Sequence, residues 1–280
     1  MIAHRGASAH APENTLPAFR RALDEGAREI EIDIRFSSDE EIIVFHDDRL
    51  DRKTPLRGRV RHYPASALRR ADIGSWFDRT HPEASERFAG TCVVSLRSVF
   101  EDLGPRVHYH IEMKGFEDLL PLRALQLIDE FDLRRCVTMT SFSMRPLRQM
   151  RKLTQALPLC LLLRDSFDAV RSAEFRPQLE GRSTEDVQDY WIDQAASEQF
   201  QQVGIRAADM SPRAAARSAD RGLSIRGWGV RNREDLSRLH DLGAIGATVD
   251  WPGVALEHLE QRLGSHLSNL RTTSSSRRKE

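Results

Sequence analysis

The sequence contains few cysteines, no long apolar run and no excess of charge of either sign. Its three cysteines, Cys92, Cys136 and Cys160, lack metal-like spacing, and their odd number argues against a closed disulfide framework. We expect them to be reduced and mostly buried. Lysine plus arginine equals aspartate plus glutamate at 42 each, so the overall charge gives no argument for binding to nucleic acid or to a charged membrane surface.

Two further absences concern membranes and export. No apolar run approaches the roughly 20 residues that span a bilayer, and the opening MIAHRGASAH lacks the charged and apolar regions of a secretion signal. We therefore expect a soluble cytoplasmic protein without stable membrane insertion, and the sequence gives no indication of its oligomeric state. Residues 265–280, which end in RTTSSSRRKE, are expected to form a disordered basic tail.

Short β-rich runs alternate with helical patterns along the chain, which favours parallel βαβ units. The eight runs are MIAHR, EIEIDI, VHYHIEMK, CVTMTSF, LPLCLLL, QVGIRAADM, LSIRGWGV and GATVD. They predict one (β/α)₈ barrel over residues 1–264, with a doubly wound sheet as the alternative. Residues 52–91, after the second strand and its ribbon, are rich in proline, glycine and charge and predict an insertion. Asn14 or Thr15 can cap the first helix, and we interpret Asn14 as a cap rather than as a catalytic residue.

Carboxylates lie where the predicted strands end, which is where barrels of this kind hold their active sites. Glu31 and Asp33 share one face of a strand because they are two residues apart, and Glu112 ends another strand. Such carboxylates repel one another unless a cation lies among them. Hard oxygen ligands suit Mg²⁺ or Ca²⁺, so the pattern predicts that these three residues bind a divalent metal.

Histidines and fixed cations accompany these carboxylates. His4 and His46 end neighbouring segments, and histidine can serve as acid and base near neutral pH without special tuning. Arg5 and Lys114 would add positive charge beside the metal, as a site for phosphate requires. We therefore expect a phosphorylated small molecule as the partner.

The same residues carry a resemblance to a known family. The segment HRGASAHAPENTLPAFRRALDEGAREIEIDIRFSSDEEIIVFHDDRLDRKT resembles the glycerophosphodiester phosphodiesterase family, whose signature is HRG, PENT, a paired E and D, and HD followed by L-x-R. The likeness continues through GSWF, HIEMK and SFSMRPL to GWGV and LGAIGATVDWP, and so covers most of residues 2–256. It implies a barrel enzyme that uses a metal to hydrolyse glycerophosphodiesters to glycerol 3-phosphate and an alcohol.

Residue by residue, the resemblance implies one role for each position of the motifs. The acid and base pair would be His4 and His46, the metal ligands Glu31, Asp33 and Glu112, and the phosphate contacts Arg5 and Lys114. Trp228 is expected to form an apolar wall. Together with the insertion it would contact the leaving alcohol through broad apolar surfaces, so that this side of the substrate is recognised loosely.

Some positions depart from the family pattern. His110 stands where the family usually has asparagine, and Trp228, Gly229, Val230 and Arg231 stand in place of W-T-V-N. Arg231 either favours a more anionic substrate or faces solvent. Surface or packing roles are expected for the histidines without a matching partner, which are His10, His62, His81, His108 and His110, and Trp76 and Phe77 are expected to anchor the insertion.

Two other functions stay open at this stage. A lysophospholipase D would use the same site but would need an apolar groove for an acyl chain, which the insertion could supply. A barrel that has lost activity and kept a binding role is the other, since a fold does not fix a function. The complete set of polar residues at the strand ends argues against the second.

Overall fold

The computed structural model describes residues 1–115, 117–163 and 181–263 of the chain. Eight parallel strands form a closed barrel, because the first strand pairs with both the second and the last. These strands are β1 (Ile2–His4), β2 (Glu29–Phe36), β5 (His108–Met113), β6 (Val137–Ser141), β7 (Leu159–Leu163), β8 (Gln202–Arg206), β9 (Ser224–Trp228) and β10 (Gly246–Val249). A ribbon of β3 (Ile42–Val44) and β4 (Val94–Ser95) continues antiparallel from β2. The predicted (β/α)₈ barrel and its eight strands are confirmed.

Helices cover the outside of the barrel, and several of them begin at a serine or threonine whose hydroxyl accepts from a backbone N–H of the first turn. In the described part of the chain they are α1 (Leu16–Asp24), α2 (Ala65–Leu68), α3 (Gly74–Thr80), α4 (Leu96–Leu103), α5 (Leu120–Glu130), α6 (Met144–Leu153), α7 (Thr184–Ser197), α8 (Pro212–Asp220), α9 (Arg233–Asp241) and α10 (252–263). Thr15, and not Asn14, is the N-cap of α1, since its hydroxyl accepts from the backbone N–H of Ala18. The interpretation of Asn14 as a cap was therefore wrong.

The hydrophobic core lies between the strands and the helices, not inside the barrel. On β2 the side chains alternate, so that Ile30, Ile32 and Ile34 are fully buried in this core while Glu31 and Asp33 point the other way. Each buried isoleucine stabilises the fold by about 1.5–3 kcal/mol. Apolar packing on the outer face of β2 thus stabilises the fold, while its inner face presents polar side chains.

Residues 52–91 contain the two short helices α2 and α3 and pack around a smaller apolar cluster. Leu50, Val60 and Leu68 are buried in that cluster, which continues onto Ile43 of the ribbon. Phe77 is buried against Ala18 of α1, as expected of an anchor, whereas Trp76 is only partly buried. The boundaries of the barrel and the insertion stay predictions.

Three further expectations concern the cysteines, membrane-spanning helices and the C-terminal tail. Cys160 is buried, but Cys92 and Cys136 are partly exposed, so the cysteines are free and not mostly buried. Across the described ranges, none of the helices combines the length and the apolar character that crossing a bilayer demands. The predicted tail, 265–280, lies outside the described residues.

Candidate active site

Strand register brings the predicted site residues to one end of the barrel. His4 on β1 is level with Glu31 on β2, and Asp33 is level with Glu112 on β5. All four side chains alternate onto the inner face near the carboxyl ends of their strands. His46 follows the ribbon strand β3, whose antiparallel pairing with β2 returns the chain to the same end of the barrel.

Three carboxylates form a compact acidic cluster. Glu31, Asp33 and Glu112 are 5%, 0% and 6% exposed, and each offers an oxygen within 4.8 Å of the others. One oxygen of Glu31 accepts from the backbone N–H of Arg5 at 3.1 Å, whereas its Oε1 is buried without a hydrogen-bond partner among the described residues. Burial raises the pKa of Glu31 well above its usual range, and the two neighbouring carboxylates add to this rise.

Two cations neutralise the other two carboxylates. Arg5 Nε lies 3.1 Å from Asp33 Oδ2, and Lys114 Nζ lies 3.1 Å from Asp33 Oδ1 and 2.5 Å from Glu112 Oε1. Burial opposes ionisation of Asp33, but Lys114 and Arg5 hold the pKa of its carboxyl well below the usual range. Among the described residues neither cation forms an ion pair with Glu31, although the charges of Arg5 and Lys114 oppose part of the rise in its pKa.

The donor set fits a hard divalent cation. Oxygen atoms bound to one Mg²⁺ lie about 2.0–2.1 Å from it and those bound to Ca²⁺ about 2.3–2.6 Å, so ligands on opposite sides of an ion are roughly 4–5 Å apart. One oxygen from each carboxylate lies within 4.8 Å of the others, which is compatible with this range, and Glu31 Oε1 has no hydrogen-bond partner among the described residues. Glu31, Asp33 and Glu112 therefore form a group that could hold such an ion.

A tight turn after β1 places Arg5. Its backbone is left-handed, with φ of 57°, which turns its N–H toward Glu31. Gly6 follows with φ of 87°, and a Cβ at that position would lie only 2.5 Å from the backbone carbon of Ala18. Glycine is thus required here both for its conformation and because the turn packs directly on α1.

Each of the two predicted catalytic histidines is held by a carboxylate. Nδ1 of His4 lies 2.6 Å from Asp250, and Nδ1 of His46 lies 2.7 Å from Asp47. Because a carboxylate only accepts hydrogen bonds, Nδ1 is the donor in both pairs and Nε2 is left as the reactive nitrogen. Burial lowers the pKa of His46, and the hydrogen bond to Asp47 offsets part of this effect.

The histidines, the cations and two of the acidic residues open into one cavity of about 470 Å³, a size typical of small-molecule sites. It is lined by His4, Arg5, Glu31, His46, Glu112, Lys114, Phe142, Leu162, Arg206, Trp228, Gly229, Arg231 and Thr248. The indole N–H of Trp228 donates to the carbonyl of Leu163 at 3.1 Å. The Trp228 and Phe142 rings pack edge to face, with their centroids 5.2 Å apart. These contacts hold Trp228 in the wall of the cavity, and its contact with the leaving alcohol stays a prediction.

The expected contact between the insertion and the leaving alcohol stays a prediction. None of its described residues, 52–91, lines the cavity. Instead Lys53 supports the site from behind: its ammonium lies 2.6 Å from Glu13 and 3.2 Å from Asp47. Glu13 in turn binds Arg5 at 3.0 Å. The insertion therefore acts on the site through the side chains that orient Arg5 and His46.

Sequence reasoning also missed the part of Asn14 in the site. Its amide donates to Asp33 Oδ2 at 2.8 Å and accepts from the Asp33 backbone N–H at 3.3 Å. The local signal was available, since Asn14 belongs to the same PENT motif as Glu13. Arg206 was missed as well, because the sequence has nothing that sets it apart from the other arginines.

His110 lies beneath the acidic cluster, in the interior of the barrel. It contacts Glu29 at 2.7 Å through Nε2 and Arg226 at 2.5 Å through Nδ1. Burial, together with the charge of Arg226, lowers the pKa of His110 to about 3. His110 was expected to have a surface or packing role. It is instead part of a buried polar network with Glu29 and Arg226.

Comparisons with known proteins agree with this geometry. The model of the glycerophosphoryl diester phosphodiesterase family matches residues 4–254. A glycerophosphodiester phosphodiesterase of Bacillus subtilis is 28% identical over 260 residues, which cover 90% of this chain and 83% of the relative. A probable glycerophosphodiester phosphodiesterase 1 of Mycobacterium tuberculosis is 29% identical over 279 residues, with 93% of this chain and 92% of the relative covered.

Solved structures show the same fold. The crystal structure of glycerophosphodiester phosphodiesterase from Agrobacterium tumefaciens superposes with a TM-score of 0.70 at 26% identity and covers 91% of this chain and 97% of its own. An Oleispira antarctica phosphodiesterase, solved in complex with the product sn-glycerol-3-phosphate, gives a TM-score of 0.76 at 20% identity, with coverages of 92% and 96%. The match to the family model over nearly the whole chain, together with these relatives, shows that this protein belongs to the glycerophosphoryl diester phosphodiesterase family and hydrolyses glycerophosphodiesters.

Proposed function

We propose that this enzyme requires a divalent metal, Mg²⁺ or Ca²⁺, and releases glycerol 3-phosphate and a free alcohol. The observation that carries the proposal is the acidic cluster of Glu31, Asp33 and Glu112, in which the buried Glu31 Oε1 has no hydrogen-bond partner among the described residues. The complex of the Oleispira antarctica relative with sn-glycerol-3-phosphate supports the choice of product.

The acidic cluster would hold the metal, which when bound would supply Lewis-acid polarisation of the phosphate. Arg5 and Lys114 line the cavity beside the cluster and would contact the phosphate oxygens. Both cations are already fixed by ion pairs with Asp33, so they are in place before substrate binds. Such preorganised charge stabilises the additional negative charge of a transition state without further rearrangement.

His4 and His46 would transfer the protons. One imidazole takes a proton from the attacking oxygen, which forms the new bond to phosphorus. The other gives a proton to the alcohol oxygen as the bond between that oxygen and phosphorus breaks. Asp250 and Asp47 stabilise whichever imidazole is protonated, because each lies within 2.7 Å of a ring nitrogen.

A lysophospholipase D is not favoured as the activity. The apolar side chains of the described cavity lining are those of Phe142, Leu162 and Trp228, and Arg206 and Arg231 lie among them. An acyl chain would have to contact these charged groups, at a cost that an apolar groove would avoid.

The test is turnover of glycerophosphoethanolamine, with glycerol 3-phosphate measured by a coupled dehydrogenase. We expect activity to be lost in excess EDTA and restored by Mg²⁺ or Ca²⁺. His4→Ala and the exposed control His62→Ala separate the site from the surface, and only the first should lose activity. Full activity in EDTA would refute the metal requirement, and release of free glycerol with phosphoethanolamine would refute the proposed product.

A further inference from the structure

We propose that Arg35 is a positioning residue for the reaction, which fixes His46 in the cavity through the main chain of that histidine. Arg35 is not among the described lining residues of the cavity, whereas His46 is. Arg35 would therefore act through the histidine and not by contact with the substrate. The inference rests on the proposed role of His46 in proton transfer.

Strand β2 carries Arg35 past the rim of the barrel. The register between β2 and β5 ends at Ile34, whereas Arg35 and Phe36 still pair with the ribbon strand β3. Arg35 lies two residues beyond Asp33, so its side chain leaves the strand on the same face as the acidic cluster. His46 follows β3 by two residues, and the antiparallel ribbon thus returns it to the neighbourhood of Arg35.

The guanidinium of Arg35 binds the main chain of His46 directly. Two of its nitrogens donate to the carbonyl oxygen of His46, Nε at 3.0 Å and Nη2 at 2.7 Å. The Arg35 side chain is 16% exposed, so these hydrogen bonds are largely shielded from water. Because the guanidinium is planar and its donors point in fixed directions, two bonds to one oxygen restrict the orientation of that peptide group.

The main chain around His46 is consequently held on both sides. Before it, the N–H of Phe45 donates to the carbonyl of Asp33 at 3.0 Å. After it, rotation of the peptide group between His46 and Asp47 would shift the carboxylate of Asp47 relative to the imidazole. The bonds from Arg35 oppose this rotation and so maintain the contact of 2.7 Å between His46 Nδ1 and Asp47.

Ion pairing does not account for the position of Arg35. Its Nη1 lies 3.9 Å from Asp48 Oδ1, and the Asp48 side chain is half exposed and lies 3.4 Å from Arg59. Burial lowers the pKa of Arg35, and the charge of Asp48 offsets only part of this effect. The hydrogen bonds to the His46 carbonyl are thus the contacts that the buried guanidinium makes at close range.

The experiment measures turnover of glycerophosphoethanolamine, in the presence of Mg²⁺ or Ca²⁺, by Arg35→Met alone and combined with His46→Ala. Arg35→Met should lower kcat roughly ten- to a hundredfold, the scale of a misplaced catalytic group, and leave KM nearly unchanged. In the His46→Ala background the same substitution should change kcat by less than about twofold, because no imidazole is left to position. Arg35→Lys should recover part of kcat, since an ammonium cannot reproduce the planar pair of donors.

Arg28→Met is the matched control. Arg28 also donates to main-chain carbonyls, those of Leu23 and Ala27, but it precedes β2 at the other end of the strand, and its loss should leave kcat unchanged. Thermal denaturation checks that each variant folds. The rise in Tm on adding metal should be the same in Arg35→Met as in the wild type, which separates the position of His46 from damage to the acidic cluster.

Several outcomes would overturn the positioning role alone. They are a kcat of Arg35→Met within about twofold of the wild type, an equal loss of kcat in the wild-type and His46→Ala backgrounds, and loss of the metal-induced rise in Tm. If Arg35→Met does not fold, Arg35→Lys gives the same comparison, and its smaller loss of kcat must again vanish in the His46→Ala background. Full activity of His46→Ala would instead contradict the proposed function of this histidine, and the inference with it.

Discussion

Replacing Lys53 with methionine should weaken both the fold and the active site. The Lys53 side chain is 1% exposed and its ammonium lies between Glu13, at 2.6 Å, and Asp47, at 3.2 Å. Methionine has a similar length and suits the ring of Trp76, which lies 5.3 Å from the ammonium. The substitution therefore removes the charge with little change in packing.

The size of the effect follows from the partners that remain. Breaking a buried ion pair costs about 3–5 kcal/mol when one charge is left alone. Here Glu13 keeps Arg5 at 3.0 Å and Asp47 keeps Arg52 at 3.0 Å. We therefore expect a loss of about 2–3 kcal/mol, below the full cost of an isolated buried charge. In a chain of this size that loss lowers Tm by roughly 5–10 °C.

Activity should fall as well, since Asp47 orients His46 and Glu13 orients Arg5. We expect kcat to drop on the order of tenfold, the scale known for outer partners that orient the ligands of a metal. Thermal denaturation and steady-state kinetics well below Tm measure the two effects separately. Lys53→Arg should recover much of both, because it restores the charge.

The matched control is the exposed Lys152, whose replacement by methionine removes the same charge from the surface. Its Tm and kcat should stay close to those of the wild type. If Lys53→Met behaves like Lys152→Met in both assays, the buried lysine neither stabilises the fold nor positions the site, and the reasoning fails.

Three other predictions address the site itself. Glu31→Gln should raise Tm of the metal-free protein, because burial and the two neighbouring carboxylates disfavour the charged form of Glu31. The same substitution should abolish the rise in Tm on adding Mg²⁺ or Ca²⁺, and a preserved rise would show that Glu31 is not a ligand. His4→Ala and His46→Ala should each lower kcat roughly 10²-fold or more, and the double variant should be little worse; fully multiplicative losses would indicate independent roles. Asp47→Asn should lower the unfolding free energy at pH 7, since burial opposes ionisation but His46, Lys53 and Arg52 hold the pKa of Asp47 below its usual range. That difference should begin to shrink as the pH falls below the unfolded value of about 3.9 and be lost only as the pH passes the lower pKa of the folded state; a difference in urea titrations that is as large at pH 3 as at pH 7 would contradict the assignment.

The sequence was sufficient to predict the strands and most of the candidate site because both follow from local periodicity. Alternation places Glu31 and Asp33 together on the inner face of β2, and parallel strands bring their ends to one edge. Residues as distant as His4 and Glu112 could thus be assigned to one mouth before any distance was known.

The errors concern contacts that local patterns do not specify. Asn14 and Thr15 are both good N-caps by residue type, and only the left-handed backbone of Asn14, with φ of 59°, turns its amide toward Asp33. Lys53 and Glu13 are 40 residues apart, and a lysine between two charged segments usually faces solvent. Such pairings are fixed by tertiary packing, which the sequence pattern leaves undetermined.

Barrel closure also has a consequence for biosynthesis. The first strand is completed only by pairing with the last, and His4 reaches its partner Asp250 across 246 positions of the chain. During synthesis His4 is therefore translated long before Asp250, and this pair cannot form until nearly all of the barrel has been translated. Incomplete chains should thus lack hydrolytic activity, because contacts so distant in sequence form late in folding.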